Sequence, residues 1–287
     1  MASPPTLAHS SCPNDTFVFH AWSTGLLPGR PAPAVTIADI DVTNSLAAQG
    51  KLDVLKISYA ALPYVLDRYA LLPCGGALGH GCGPLLLTRT PCEPAALEGR
   101  VVAIPTERST AYLLFRLWAR EALGGGEVRT VTMPFHRIMP AVRDGEVDAG
   151  LVIHEARFTF HEYGLHRLVD LGEAWEAQTG LPIPLGAIVA RRDLGAARLS
   201  GITEAIRGSV RHAWADPEAS RDHVRAHAQE MAPEVQKRHI ELYVNEYTED
   251  LGPHGYVAVR ALLDRAARAG AVPSIPPEAL DPVGAAG

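Results

Sequence analysis

The chain has 287 residues, 47% hydrophobic and 20% charged, which is enough for two packed lobes of about 100–190 residues and too apolar for a disordered chain. Its formal net charge is −6 and no basic run exceeds two residues, which argues against nucleic acid as a partner. No stretch reaches the ~18–20 uninterrupted apolar residues of a membrane span. Residues 1–13 hold neither Lys nor Arg nor an apolar segment, and so do not read as a secretory signal.

The first third alternates short apolar runs with helical patterns, the mark of an α/β sheet. Residues 16–21 follow the polar turn Cys12-Pro13-Asn14-Asp15 and predict a first helix capped by Asn14 or Asp15. Strands are expected over 35–40, 53–57 and 85–88. A short helix is expected over 43–48, and Ser58 is expected to cap a helical stretch running to about Leu66.

In the middle third, 100–105 reads as a buried strand. The turn Thr106-Glu107-Arg108-Ser109-Thr110 leads into a helix with Leu113, Leu114, Leu117 and Trp118 on one face. A short strand over 130–134 and a helix over 137–144 ending at Gly145 come next. A strand over 149–153 then carries His154 at its C-terminal end. Residues 183–190 read as a returning extended segment.

The last third is helical from Ile202 to about Ala269, with Ile202, Ala205, Ile206, Val210, Ala213 and Trp214 on one stripe. The Pro-, Gly- and Ala-rich tail over 273–287 is expected to fray. Together these blocks predict an α/β chain with a discontinuous first lobe, residues 1–98 plus 193–287, and a second lobe, residues 99–192. The lobes meet at hinges near Gly99 and Arg192 and enclose a central cleft.

Three features point to chemistry in that cleft. The start of the helix after Thr106 offers unpaired N–H groups beside the hydroxyls of Ser109 and Thr110, a natural carboxylate cradle. Simple capping by either residue is the plainer alternative. Lys56-Ile57-Ser58 places a cation inside an apolar strand, which is costly unless it meets an anion or a partner; a strand-edge lysine is the alternative. His154, at a strand end ahead of Glu155, suits a general base near neutral pH, against the alternative of a histidine merely hydrogen-bonded there.

Other patterns fail. His161 and His166 are five apart, where a metalloprotease pair needs four. Gly75, Gly76, Gly79, Gly81 and Gly83 do not fit G-x-G-x-x-G and lead into a strand, so they read as a flexible loop or hinge. There is no P-loop and no G-x-S-x-G. The four cysteines form no C-x-x-C pair and are expected to be free thiols in a cytoplasmic protein.

Six stretches in order carry a resemblance. They are Ser11-Cys12-Pro13-Asn14-Asp15-Thr16-Phe17, Lys56-Ile57-Ser58, the glycine segment 75–84, Thr110-Ala111-Tyr112-Leu113-Leu114, residues 150–155 around His154, and Leu181-Pro182 with Pro184-Leu185-Gly186. In order and spacing the chain resembles the 1,4-dihydroxy-6-naphthoate synthase family of the futalosine route to menaquinone.

The resemblance implies a two-lobed periplasmic-binding-protein-like (type II) fold and a small carboxylated substrate, cyclic dehypoxanthinyl futalosine. It implies cleavage to 1,4-dihydroxy-6-naphthoate and dihydroxyacetone. It places a catalytic histidine at His154 and substrate contacts at Lys56, Ile57, Ser58, Ser109 and Thr110, with Asn14 added from the first motif; it calls for no cofactor and no metal. Three positions depart from the family pattern: Ser11 stands where Pro is expected, Ser109 where Thr is expected, keeping the hydroxyl, and Thr106 where Gly is expected, restricting the backbone there. Chorismate dehydratase, which shares the fold, and a non-catalytic cytosolic binding protein are the alternatives. The helical third could support a homodimer.

Overall fold

The computed structural model of the chain describes residues 3–228 and 232–281. The last six residues of the expected frayed tail, 282–287, lie outside the described residues, as do the first two of the N-terminal stretch.

The chain opens with strand β1 (Thr6–His9) and helix α1 (Pro13–Ser23), then β2 (Ala34–Ile37), α2 (Ile40–Ala48) and β3 (Val54–Ser58). A 3-10 turn over Tyr59–Tyr64 replaces the helical stretch expected after Ser58, with Pro63 inside it. Strands β4 (Tyr69–Leu71), β5 (Ala77–Gly79) and β6 (Leu85–Thr88) follow, then β7 (Val101–Ile104) and α3 (Thr110–Ala122). Next come β8 (Arg129–Thr132), α4 (Phe135–Asp144), β9 (Ala149–Val152), the single turn α5 (Ala156–Thr159), β10 (His166–Asp170), α6 (Leu171–Thr179) and β11 (Ile183–Arg191). The helical return is α7 (Ala196–Ala215), α8 (Arg221–His227), α9 (Pro233–Tyr243), α10 (Glu246–Glu249) and α11 (Gly252–Arg268).

The strands form two sheets. The first has the order β2-β1-β3-β11-β4, with β5 also on β11; β1 runs parallel to β2 and β3, and β11 runs antiparallel to its neighbours. The second has the order β10-β6-β9-β7-β8, parallel only around β7. This is the expected α/β architecture on two sheets.

The crossings between sheets fall earlier than expected. The chain leaves the first sheet between β5 and β6 and returns between β10 and β11, so residues 85–88 belong to the second sheet and 183–191 to the first. The reason is that β6 and β11 are apolar runs whose partners lie far along the chain. Their composition marks them as buried strands, not as members of either sheet.

The first crossing is the glycine segment, and it is a close contact. A Cβ on Gly83 would run into the backbone of Gly172 at the start of α6, and one on Gly79 would meet Asn245 Nδ2 at 2.6 Å. Arg157 ties the same place together, donating to Gly83 O at 2.7 Å and to the buried Asp170 at 2.5 Å, while Asp170 caps α6 through Gly172 N at 2.8 Å. Gly83→Ala is therefore expected to destabilise the protein by about 1–3 kcal/mol or more, because backbone rather than a side chain must yield. Urea unfolding checks this; a change below ~0.5 kcal/mol would show that the crossing is loose.

The helical return packs on α1. Leu7, Phe17, Phe19 and Trp22 meet Ile188, Ile206 and Val210 in one apolar cluster, and Ser209 Oγ donates to Val18 O at 2.6 Å. Trp214 does not share the buried stripe of α7: it is 39% exposed, one 100° step beyond the fully covered Ala213. No helix among the described residues is long and apolar enough to cross a membrane.

Candidate active site

Strand ends and helix starts from both sheets converge on one chamber of about 90 Å3. Asn14, Lys56, Ser58, Ser109, Thr110 and His154 all line it, so six of the residues singled out in the sequence meet in space. Ile57 does not. Successive strand residues face opposite ways, so Lys56 and Ser58 turn to the chamber while Ile57 is fully buried in the apolar core behind it. An outer cavity of about 470 Å3 continues outward past Ser10, Ile40, Ile153 and His154.

Lys56 explains its costly position by its partner. It pairs with Asp15, and both side chains are almost wholly buried. Asp15 further accepts from Ser10 Oγ at 2.7 Å, Ser10 N at 3.3 Å and Asn14 Nδ2 at 2.9 Å. Burial by itself raises this carboxyl, but Lys56, His9 and the hydrogen bonds from Lys56 and Ser10 outweigh it and hold Asp15 below the usual carboxylate range.

The expected cap of α1 is corrected here. The N-cap is Cys12 with Pro13 in the first turn, which pushes Asn14 and Asp15 inside the helix start, buried and free to serve this network. Asn14 Oδ1 in turn accepts from His239 Nε2 at 3.0 Å.

Ser109 is the N-cap of α3: its Oγ accepts from Tyr112 N at 3.1 Å and donates to Thr106 O at 2.9 Å. Thr110 Oγ1 donates to Leu185 O at 2.7 Å and accepts from Ala60 N at 3.3 Å, joining α3 to the first sheet. Both hydroxyl hydrogens are thus spent on carbonyls. What remains of the cradle is backbone: the N–H groups of Thr110 and Ala111, which a helix start leaves without intrahelical acceptors. Thr106 is not among the left-handed residues, so the replacement of Gly there imposes no backbone strain. Ser11 and Thr106 both line the outer cavity rather than the chamber.

His154 sits in the turn after β9 with φ 56°, one of two non-glycine residues in the left-handed region among those described. Such a conformation persists only when its surroundings hold it. Here they do: Arg157, in the following helical turn, is anchored on Gly83 and Asp170. The ring is braced by Phe135 edge-on at 5.8 Å and by His239, nearly parallel, at 6.0 Å. Burial lowers the imidazole below its ordinary value of 6.5, outweighing the carboxylates of Glu155 and Asp15, so the ring is neutral at pH 7.

Other residues escaped the sequence reading. Asp15 lies in a turn that reads as capping, and Ser10, ahead of that turn, carries no pattern of its own. Tyr243 also lines the chamber, and burial raises its phenol so that it keeps its proton. His239 is fully buried, with burial and His154 pushing it down to about 3. Tyr243 and His239 come from α9, where nothing local marks them apart from any other helical residue.

Comparison with known proteins agrees with this geometry. The family model described as menaquinone biosynthesis matches residues 5–268. The chain is 65% identical over 274 residues to the 1,4-dihydroxy-6-naphthoate synthase of Streptomyces coelicolor, covering 96% of each chain. It is 46% identical to the Thermus thermophilus protein of the same name, covering 93% of this chain and 96% of that one. A solved structure from Archaeoglobus fulgidus superposes with a TM-score of 0.87 at 32% identity, covering 94% of this chain and 98% of that one. A Candida albicans protein described as having the generic periplasmic binding protein fold superposes with a TM-score of 0.69 at 11% identity, covering 97% and 94%, a likeness of fold alone. Two sheets around a central chamber, a matched family model over most of the length and relatives well above 30% identity place this chain in the menaquinone biosynthesis family.

Proposed function

We propose that this chain converts cyclic dehypoxanthinyl futalosine to 1,4-dihydroxy-6-naphthoate with release of dihydroxyacetone, with His154 as the base. The observation that carries the mechanism is a neutral, braced imidazole on the wall of a small chamber that also holds a helix start. His154 takes the proton of a hydroxyl on the sugar-derived ring. The oxygen becomes the carbonyl of the departing three-carbon fragment as the adjacent C–C bond breaks. The bonding pair moves into the bicyclic ring and reaches its ketone oxygen as an enolate, and aromatisation drives the step.

The ring carboxylate takes the N–H groups of Thr110 and Ala111, and the enolate takes a donor among Ser58, Lys56 and Tyr243. The apolar wall, including Ile153 and Leu185, keeps water from the breaking bond. The names of the two relatives favour this reading over chorismate dehydratase. The activity is placed in the cytoplasm, a reading that the four free cysteines support.

The test is turnover by purified protein, with naphthoate formation followed by its absorbance and dihydroxyacetone by enzymatic assay, and chorismate offered separately. Consumption of the first substrate alone is expected; consumption of chorismate alone would overturn the proposal. The pH dependence is a second check. Because burial lowers His154 below 6.5, kcat/KM is expected to fall as pH drops through that lowered value, with the midpoint of the acidic limb below 6.5. An acidic limb centred above 6.5 would exclude His154 as the titrating base.

A further inference from the structure

The His154 ring has one polar neighbour within hydrogen-bonding distance among the described residues, Cys12 Sγ at 3.5 Å, and sulfur is a weak partner. Its orientation therefore depends on the rings around it. Phe135 meets it edge-on at 5.8 Å, and His239 lies nearly parallel to it at 6.0 Å, both separations of favourable aromatic pairs. Phe135 has no polar group with which to be held. His239 has one.

His239 is fully buried on α9 and ends a chain of bonds that begins at Lys56. Asp15, paired with Lys56, is a carboxylate and only accepts. Asn14 must therefore turn its NH2 group to Asp15 Oδ1, the contact at 2.9 Å, which leaves its amide oxygen facing α9. That oxygen also only accepts, so His239 Nε2, 3.0 Å away, carries the hydrogen.

The ring is neutral. Burial and then His154 push it down to about 3, with Lys56 acting in the same sense and Asp15 against it. Tyr243, 4.6 Å away by ring centres, keeps its proton, and Arg238 lies over the Phe158 ring on the remaining side. With its one hydrogen on Nε2, His239 has a bare Nδ1, and that buried atom meets no donor. Such an atom costs about 1–3 kcal/mol and calls for a reason. Phenylalanine here would remove the cost and lose the bond to Asn14; glutamine would keep the bond and lose the ring. Histidine supplies both.

We infer that His239 is a positioning residue: the Lys56–Asp15–Asn14 chain fixes its tautomer and its ring, and that ring, with Phe135, holds the His154 imidazole in place on the chamber wall. The inference rests on the proposed role of His154. It gives the buried ion pair a line of action on the base without contact between them. It also adds a second histidine that stays uncharged while the first takes up a proton, so the imidazolium meets a neutral ring rather than another cation.

The experiment reads the tautomer directly. Full-length protein labelled with 15N-histidine is examined by NMR without substrate, and the His239 signals are assigned by their loss in His239→Gln and His239→Phe. Nε2 is expected to carry the hydrogen, Nδ1 to show the shift of a bare nitrogen, and neither to titrate between about pH 5 and 7.5. His239→Gln keeps a donor for Asn14 but uncovers His154. Its kcat is expected to fall by about tenfold or more with KM within about threefold, and the acidic limb of kcat/KM to move up toward 6.5. His239→Phe keeps a covering ring and loses the donor, so kcat is expected to fall by about tenfold with the limb where it was. A role in folding alone would leave the limb in place in both variants. An Nδ1–H tautomer in the unaltered protein would overturn the inference, as would a limb that stays put in His239→Gln. Absence of turnover by the unaltered protein would instead sink the proposed reaction, since the tautomer is read on the free enzyme.

Discussion

Replacing His154 by Asn is expected to lower kcat by on the order of 10²–10⁴-fold, the usual contribution of a positioned general base, with little change in stability. Asparagine is the informative choice because the backbone here has φ 56°. Among non-glycine residues Asn tolerates this region well, so the turn after β9 is kept while the titrating ring is removed. A β-branched residue would mix the loss of the base with backbone strain. The comparison needs kcat and KM together: a loss in kcat with KM near its original value marks a group acting in the transition state, whereas a rise in KM alone would mark a binding contact. The thermal midpoint of the variant should stay within a few degrees of the original. A variant that kept full turnover would remove His154 from the mechanism, and with it the proposed proton transfer.

Lys56→Met should have the largest effect on stability, a loss of about 3–5 kcal/mol at neutral pH, because it leaves the Asp15 charge buried without its counter-ion. Pairing it with Asp15→Asn should restore much of that loss, since the cost lies in the uncompensated charge rather than in the missing bond.

The pH dependence separates this from simple loss of packing. In the unaltered protein Asp15 is held below its ordinary value of 3.8, so its contribution to stability is present above that value and lost as pH falls through the lower folded value. In Lys56→Met the largest opposing effect, burial, acts without its main counterweight and raises the carboxyl above 3.8. The folded state then binds the proton more readily than the unfolded one, and the variant should gain stability as pH falls from 7 toward 5. Urea unfolding at the two pH values checks both the magnitude and the sign. A loss under ~1 kcal/mol with no reversal would mean that water reaches the pair.

Local pattern carried much of the second sheet and its helices. The apolar runs at β6, β7 and β9 and the amphipathic repeat of α3 are legible because period and composition are properties of the segment itself. β1 and β10 were not legible. Thr6–His9 is only four residues, and His166–Asp170 mixes charge with apolar residues at a sheet edge, so neither carries a clear period. Order and spacing of the motifs likewise marked out His154, Lys56, Ser58, Asn14, Ser109 and Thr110, since strand ends and helix starts are where a two-lobed α/β fold gathers its site.

What tertiary structure alone decided is how these groups are joined. Cys12 and His154 are 142 positions apart, Asn14 and His239 are 225 apart, and Asp15 and Lys56 are 41 apart. No local period encodes such pairings; they follow from which strands pair and where α9 returns. The same holds for the turning of Ile57 into the core, for the sheet that claims β11, and for the carbonyls to which the Ser109 and Thr110 hydroxyls donate. Ser10, Tyr243 and His239 could not be read from the chain, whereas His154, Lys56, Ser58, Asn14, Ser109 and Thr110 could, one by one. Their protonation, partners and facing could not, because burial and long-range packing set all three.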